Sequence, residues 1–178
     1  APMPPTGAVR TCAHVAPEKV ALVCKQNRVT YAELNARSNA LANTLVANGV
    51  QRGDRVVIFA DNSVETVVAF WATLKANAVA SIINPLTKAD KLNSLLKDCR
   101  PTALIADQHL YSVFATPAKD CPHLKLVIVS GDIVNDRLST LPHSKRWDAA
   151  IAAGNPDKAP ERRCIDIDLA TIIYTSGS

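Results

Sequence analysis

Four short apolar runs begin near residues 56, 79, 102 and 125, at a constant spacing of 23 residues. Each run has the length and composition of a buried strand, and helical patterns fill the intervals between the runs. Right-handed crossovers between successive strand–helix units produce a parallel sheet with helices on both faces. The sequence therefore predicts an α/β fold with a doubly wound, mostly parallel sheet. The predicted strands are residues 56–60, 79–83, 102–106, 125–129 and 170–174.

Several helix boundaries carry cap residues. Thr30 and Glu33 have the spacing of a capping box, at the start of a helix that Gly49 is predicted to end. Asn62 is predicted to cap the next helix. Asn77 is predicted to follow that helix in a left-handed conformation, which asparagine tolerates better than most residues.

The domain organisation is predicted from composition and periodicity. Residues 1–18 are rich in proline and alanine and show little periodicity, so we expect an irregular lead-in. Residues 19–178 are expected to form one incomplete α/β domain that begins with a small hairpin. The interval 130–146 is polar and rich in turn residues, which predicts loops.

The composition excludes several classes of protein. The net charge is +4, with 48% hydrophobic and 20% charged residues, which is typical of a globular chain. No apolar run approaches the length of a transmembrane segment, and no basic block with interleaved aromatic residues supports nucleic-acid binding. The five cysteines are odd in number and never form a C-x-x-C pair, which argues against a disulfide framework and a zinc site. Reduced thiols favour a cytoplasmic location.

The last stretch of the sequence is the candidate functional site. Residues 169–174 have the composition of a fully buried strand, and Thr175, Ser176, Gly177 and Ser178 follow directly. A strand that ends in such a loop offers backbone N–H groups and hydroxyls to a phosphate, but a polar, flexible tail explains the same four residues. These residues by themselves leave the two interpretations open.

Other candidate sites have simpler explanations. No G-x-G-x-x-G follows residues 56–60, and no G-x-x-x-x-G-K-[ST] occurs in the chain. Helix capping explains the polar residues 61–63 at the end of the first strand. Asp166 and Asp168 alternate with isoleucines, which favours a solvated edge over acid–base chemistry.

Three motifs in order resemble the opening of the adenylate-forming superfamily, also called AMP-binding enzymes. They are Thr-Tyr-Ala-Glu-Leu at 30–34, Leu-Lys-Ala-Asn-Ala-Val at 74–79 and Ile-Ile-Tyr-Thr-Ser-Gly-Ser at 172–178. The resemblance spans roughly residues 20–178 and covers only the first part of the large N-terminal domain. Asn77 replaces the glycine usual in this family. The Thr-Gly-x-Pro-Lys-Gly half of the last motif is missing.

The resemblance implies a two-step reaction. A carboxylic acid and ATP form an acyl-adenylate with Mg²⁺ present, and the thiol of CoA then displaces AMP. The stretch 84–87 is more similar to the acid–CoA ligase branch, which includes acyl-CoA synthetases of fatty acid metabolism, than to adenylation domains. The resemblance implies that Thr175 to Ser178 bind the phosphates of ATP. It also implies that residues 1–178 contain no catalytic residue and are inactive without the rest of the enzyme. The alternatives are an adenylation domain that loads a carrier protein and a non-catalytic module that binds a nucleotide or a partner protein.

Overall fold

A computed structural model describes residues 5–165 and 167–175. The helices are α1 (Pro5–Val15), α2 (Tyr31–Ala47), α3 (Val64–Lys75), α4 (Ala89–Cys99), α5 (Tyr111–Lys119), α6 (Asn135–Ser139) and α7 (Trp147–Ala152). The strands are β1 (Val20–Cys24), β2 (Asn27–Thr30), β3 (Arg55–Phe59), β4 (Val79–Ile83), β5 (Ala103–Asp107), β6 (Leu126–Ser130) and β7 (Ser144–Arg146). Within these residues no helix combines the length and the apolar character needed to cross a bilayer.

The strands form two sheets. β1 and β2 pair as the predicted antiparallel hairpin, and the other five strands form a parallel sheet in the order β4-β3-β5-β6-β7. Val57 on β3 lies opposite Ser81 on β4 and opposite Leu104 on β5. From β3 the chain first places β4 on one side of β3 and then β5 on the other side. The strand order therefore reverses at β3. In parallel α/β sheets, ligands bind beyond the carboxyl ends of the strands at such a reversal.

Alternate residues of the central strands enter two separate cores. In the first core, on one face of the sheet, Val56 and Ile58 pack with α2, α3 and α7. In the second core, on the other face, Val57 and Phe59 pack with α4 and α5. All four side chains are fully buried. Burial on both faces is the reason why these strands appear in the sequence as continuous apolar runs. The predicted doubly wound sheet is confirmed.

The structure confirms most of the predicted caps and corrects one. The Thr30 hydroxyl accepts from the backbone N–H of Glu33 at 3.2 Å, and the Glu33 carboxylate accepts from the backbone N–H of Thr30 at 2.8 Å. Asn77 has the predicted left-handed conformation, with φ of 62°. The prediction for Asn62 was wrong, since Ser63 caps α3 and accepts from the backbone N–H of Thr66.

Three segments differ from the sequence-based expectation. The lead-in 1–18 is not irregular throughout, because residues 5–15 form α1, whose Val9 is buried in the first core. The polar interval 130–146 contains α6 and the edge strand β7, which pairs with β6. Residues 170–174 do not form a full strand: Thr171 makes a single parallel bridge to Ala80 of β4. The fifth strand of the sheet is therefore β7.

Candidate functional site

The end of the described chain runs along the open edge of β4. The backbone N–H of Ala80 donates to the carbonyl of Ala170, and the N–H of Ile172 donates back to the carbonyl of Ala80, both at 2.9 Å. Because this bridge is parallel, Thr175 follows at the edge of the sheet where the carboxyl ends of the strands lie. Thr175 is exposed. The other three predicted phosphate-binding residues, Ser176, Gly177 and Ser178, lie outside the described residues.

Tyr174 fixes the position next to Thr175. Its ring packs against the second core, and its hydroxyl donates to the Asp98 carboxylate at 2.7 Å. Burial, together with this hydrogen bond, raises the pKa of Tyr174, so the phenol stays protonated and remains a donor. Ile173, next to it, is 78% exposed, so the expected fully buried strand at 169–174 was wrong.

An ion pair holds the segment before the bridge. Arg52 donates from Nε and Nη2 to the two carboxylate oxygens of Asp168, both at 2.8 Å. The Asp168 carboxylate also accepts from the backbone N–H of Ile165 at 3.0 Å. These hydrogen bonds, first of all those from Arg52, lower the pKa of Asp168. Asp168 is thus held in an ion pair and is only partly exposed, whereas the sequence predicted a solvated edge; Asp166 lies outside the described residues.

The side chain of Asn77 holds residues 161–164, which lie in the connection between α7 and the edge segment. Its Nδ2 donates to the carbonyl of Glu161 at 2.9 Å, and its Oδ1 accepts from the backbone N–H groups of Arg163 at 2.7 Å and Cys164 at 3.2 Å. The sequence predicted the backbone conformation of Asn77 but not these three bonds, since a residue spacing of more than eighty positions leaves no local pattern.

A polar cluster, formed by Asp61, Asp107, His109 and Ser130, lies at the carboxyl ends of β3, β5 and β6. The backbone N–H of Asp61 and the hydroxyl of Ser130 both donate to the Asp107 carboxylate, and His109 Nε2 lies 3.2 Å from the Asp61 carboxylate. Ligand atoms of the two aspartates and the histidine lie within 4.8 Å of one another. The sequence-based prediction assigned Asp61 to capping and missed the cluster, although its members lie at or just after the ends of buried strands. The bonds among its members join the ends of three strands.

An open groove of about 620 Å³ lies at the opposite edge of the sheet. Arg52, Asn77 and Asp168 line it together with exposed isoleucines of the 165–170 segment. It borders Val79, the first residue of β4, and therefore lies at the amino end of the strand, away from Thr175. Its position excludes it as the phosphate site predicted at the carboxyl edge.

Lys75, the last residue of α3, is buried against α2. Its ammonium has three N–H donors and lies within 3.2 Å of four acceptor oxygens: the carbonyl and the side-chain oxygen of Asn35, the hydroxyl of Ser38 and Oδ1 of Asn39. Burial lowers the pKa of Lys75 to about 8. The ammonium therefore joins two helices within the core and does not face the carboxyl edge of the sheet.

The model of one protein family covers nearly the whole chain. It is described as "AMP-binding enzyme" and matches residues 9–178. The chain belongs to the AMP-binding enzyme family. The match includes the edge segment with Tyr174 and Thr175.

Curated relatives of this AMP-binding chain include two kinds of enzyme. It is 29% identical over 162 residues to a medium/long-chain-fatty-acid–CoA/3-oxocholest-4-en-26-oate–CoA ligase of Mycobacterium tuberculosis, covering 91% of this chain and 29% of that protein. It is 32% identical over 162 residues to tyrocidine synthase 3 of Brevibacillus parabrevis, covering 91% of this chain and 2% of that protein. The chain thus spans less than a third of the length of these relatives.

Solved structures share the fold of this AMP-binding domain. The crystal structure of the anthranilate CoA ligase AuaEII in complex with anthranoyl-AMP matches with a TM-score of 0.84 at 24% identity, covering 96% of this chain and 32% of that one. The α/β architecture with its parallel sheet is therefore that of adenylate-forming enzymes.

Proposed function

We propose that this chain is the N-terminal portion of an AMP-forming acid–CoA ligase. The intact enzyme activates a carboxylic acid with ATP to an acyl-adenylate and releases pyrophosphate. It then transfers the acyl group to the thiol of CoA, and AMP leaves. The substrates are thus ATP, CoA and a small carboxylic acid, and the spacing of the reduced cysteines favours the cytoplasm as the location.

The observation that carries this proposal is the parallel bridge between Thr171 and Ala80. It supports a phosphate-binding role for Thr175, Ser176, Gly177 and Ser178, because a chain running in this direction emerges at the edge of the sheet where α/β proteins bind ligands. The loop's N–H groups and hydroxyls hold the β- and γ-phosphates, so that pyrophosphate leaves in line with the attacking carboxylate. No side chain of the described residues acts as a general base, and this reaction needs none.

Mg²⁺ does not fit the described residues. The three potential ligands that approach one another are Asp61, Asp107 and His109. A histidine nitrogen is a poor ligand for Mg²⁺, which prefers an octahedron of oxygens, and the Asp107 carboxylate is already used by two hydrogen bonds. No step of the proposal runs through the metal.

A second candidate is an adenylation domain that transfers its acyl group to a carrier protein. The similarity to tyrocidine synthase 3 favours it, at an identity comparable to that of the CoA ligase. The acceptor distinguishes the two. The full-length protein, given ATP and its acid, should release AMP upon addition of CoA, and release only upon addition of a pantetheinylated carrier protein would identify the second candidate.

Replacement of Ser176 by alanine in the full-length protein tests the phosphate-binding role. A hydrogen bond to a charged group contributes roughly 1.5–3 kcal/mol. If it strengthens as charge builds on pyrophosphate, its loss lowers kcat/KM for ATP by roughly 10- to 150-fold. The measurement is acid-dependent exchange of labelled pyrophosphate into ATP.

Ser63→Ala is the matched control. Ser63 caps α3 through its hydroxyl, so its loss should lower the free energy of unfolding by about 1 kcal/mol and leave the kinetics nearly unchanged. Equal, small kinetic effects of both substitutions would remove the phosphate-binding role from the terminal loop.

A further inference from the structure

The register of the edge segment beside β4 is weakly specified by the backbone. In the described residues one bridge, with two hydrogen bonds around Ala80, joins residues 170–174 to the sheet. Side chains of a strand alternate between its two faces, so a shift by one residue exchanges the face of every side chain. Such a shift moves Tyr174 off the second core and displaces Thr175 by about 3.3 Å. The packing of Tyr174 and the bond from its hydroxyl to Asp98 therefore help to hold the register, together with contacts made earlier in the chain.

Asn77 is a fixed point two residues before β4. Its backbone carbonyl accepts from the N–H of Gly53 at 3.0 Å, which ties it to the turn that leads into β3. Its φ of 62° lies in the left-handed region. From this position Nδ2 and Oδ1 make three hydrogen bonds to the backbone of residues 161–164.

The bonds of Asn77 recognise one position of the connecting segment. A side-chain amide presents an NH2 donor group and a carbonyl oxygen acceptor in one fixed plane, and here the donor is matched to residue 161 and the acceptor to residues 163 and 164. The contact between Arg52 and Asp168, which also holds the connecting segment, is a partly exposed ion pair, which salt screens. The hydrogen bonds of the Asn77 side chain join uncharged groups, so salt does not screen them in this way.

We propose that Asn77 is a positioning residue that sets the register of residues 170–174 against β4, and through it the place of Thr175 at the carboxyl edge. Its consequence for catalysis rests on the proposed function. Glycine, which the family usually has here, supplies the left-handed backbone but none of the three bonds. In this chain the side chain of Asn77 adds the tether.

The test compares three variants of the full-length protein. Asn77→Gly keeps the backbone conformation, because glycine adopts positive φ without strain, and removes only the side-chain bonds. Asn77→Asp keeps an acceptor for Arg163 and Cys164. Asn43→Ala is the control, since Asn43 Nδ2 binds the carbonyls of Asn155 and Lys158 in the same connection but before the part that Asn77 holds.

Hydrogen exchange, followed by mass spectrometry of the peptide that covers residues 170–174, reports how firmly this segment is held against β4. The exchange rate of this peptide is expected to rise about tenfold in Asn77→Gly. In Asn77→Asp, which keeps the acceptor, it should stay within about threefold of the wild-type rate. In Asn43→Ala it should equal the wild-type rate. Unchanged protection in Asn77→Gly, or no recovery in Asn77→Asp, overturns the proposal.

Kinetics then separate positioning from general stability. If only part of the molecules holds the correct register, the apparent KM for ATP rises by the inverse of that fraction, so Asn77→Gly should raise it roughly five- to tenfold with a smaller change in kcat. A loss of folded protein would instead lower the apparent kcat at constant KM. A wild-type protein without acid-dependent exchange refutes the proposed function, while hydrogen exchange still decides the role of Asn77.

Discussion

Lys75 shows what a single buried charge does to this fold. It is 6% exposed, and the four oxygens around its ammonium are all uncharged. The oxygen dipoles favour the ammonium, whereas burial disfavours it, and burial lowers the pKa to about 8. Lys75 therefore links α2 and α3 through hydrogen bonds to uncharged oxygens.

Lys75→Met should destabilise the fold, and more so at high pH. At pH 7 the loss is about 2 kcal/mol, because Asn39 Oδ1 and its neighbours are left buried without a donor. The folded pKa of Lys75 lies below the unfolded value, so the wild type gains stability from this group as the pH rises from about 8 to about 10.5, by up to about 3 kcal/mol. The methionine variant lacks this gain. Urea unfolding of both proteins at pH 7 and pH 10 measures the difference.

The exposed Lys91 on α4 provides the control. Lys91→Met removes an ammonium from the surface and is expected to change the free energy of unfolding by less than about 0.5 kcal/mol. A gap between wild type and Lys75→Met that stays constant or narrows toward pH 10 contradicts the assignment of the lowered pKa.

At the scale of elements, Gly154 sets how closely α7 and its following loop approach α2. A Cβ added to Gly154 would lie 1.8 Å from the carbonyl oxygen of Ala40. Asn43 and Thr44 on α2 bind carbonyls on the same stretch, including that of Ala150 at 2.6 Å. Backbone packs directly on backbone here, so there is no flexible side chain to give way.

Gly154→Ala should therefore push the loop off α2 and lower the free energy of unfolding by about 2–3 kcal/mol. Gly53→Ala separates steric from conformational effects. Gly53 has a φ of 81°, but among the described residues no atom beyond its chain neighbours lies within 4 Å of an added Cβ, so only strain of about 1 kcal/mol is expected. Thermal melts of both variants give the comparison, and equal losses would refute the close contact.

The elements that the sequence predicted are those with local signals. The spacing of 23 residues located four strands, and the capping box at Thr30 and Glu33 located the start of α2, because these patterns involve neighbours in the chain. β7 is polar and becomes a strand only by pairing with β6. Residues 170–174 have the composition of a buried strand but lie at an edge, since burial depends on which elements lie alongside. Composition carries no record of that.

The same distinction applies to the candidate site. Its place at the end of an apolar run could be predicted, and Thr175 lies at the predicted edge of the sheet. The tethers could not be predicted, because Asn77, Arg52 and Asp98 bind residues that follow them by more than seventy positions. Only the fold brings these partners together.

At the scale of the whole molecule, the isolated chain should fold but not activate an acid. Its sheet has a core on each face, whereas the chain spans less than a third of the length of its curated relatives. We expect residues 1–178 alone to catalyse no acid-dependent exchange of pyrophosphate into ATP above background. The full-length protein at equal concentration is the control, and robust exchange by the isolated chain would sink the proposal that later segments are needed.

The bridge between Thr171 and Ala80 also has a consequence during protein synthesis. The neighbouring pairs of the sheet join residues such as Arg55 and Val79, or Val56 and Ala103, whereas this bridge closes a loop of about 90 residues with two hydrogen bonds. At 5–20 residues per second, a ribosome needs roughly 5–20 s to make that loop. Through this interval the outer edge of β4 has no partner, and an unpaired strand edge is a template for association with another chain. The nascent protein therefore exposes an unpaired strand edge until it completes the segment that covers it.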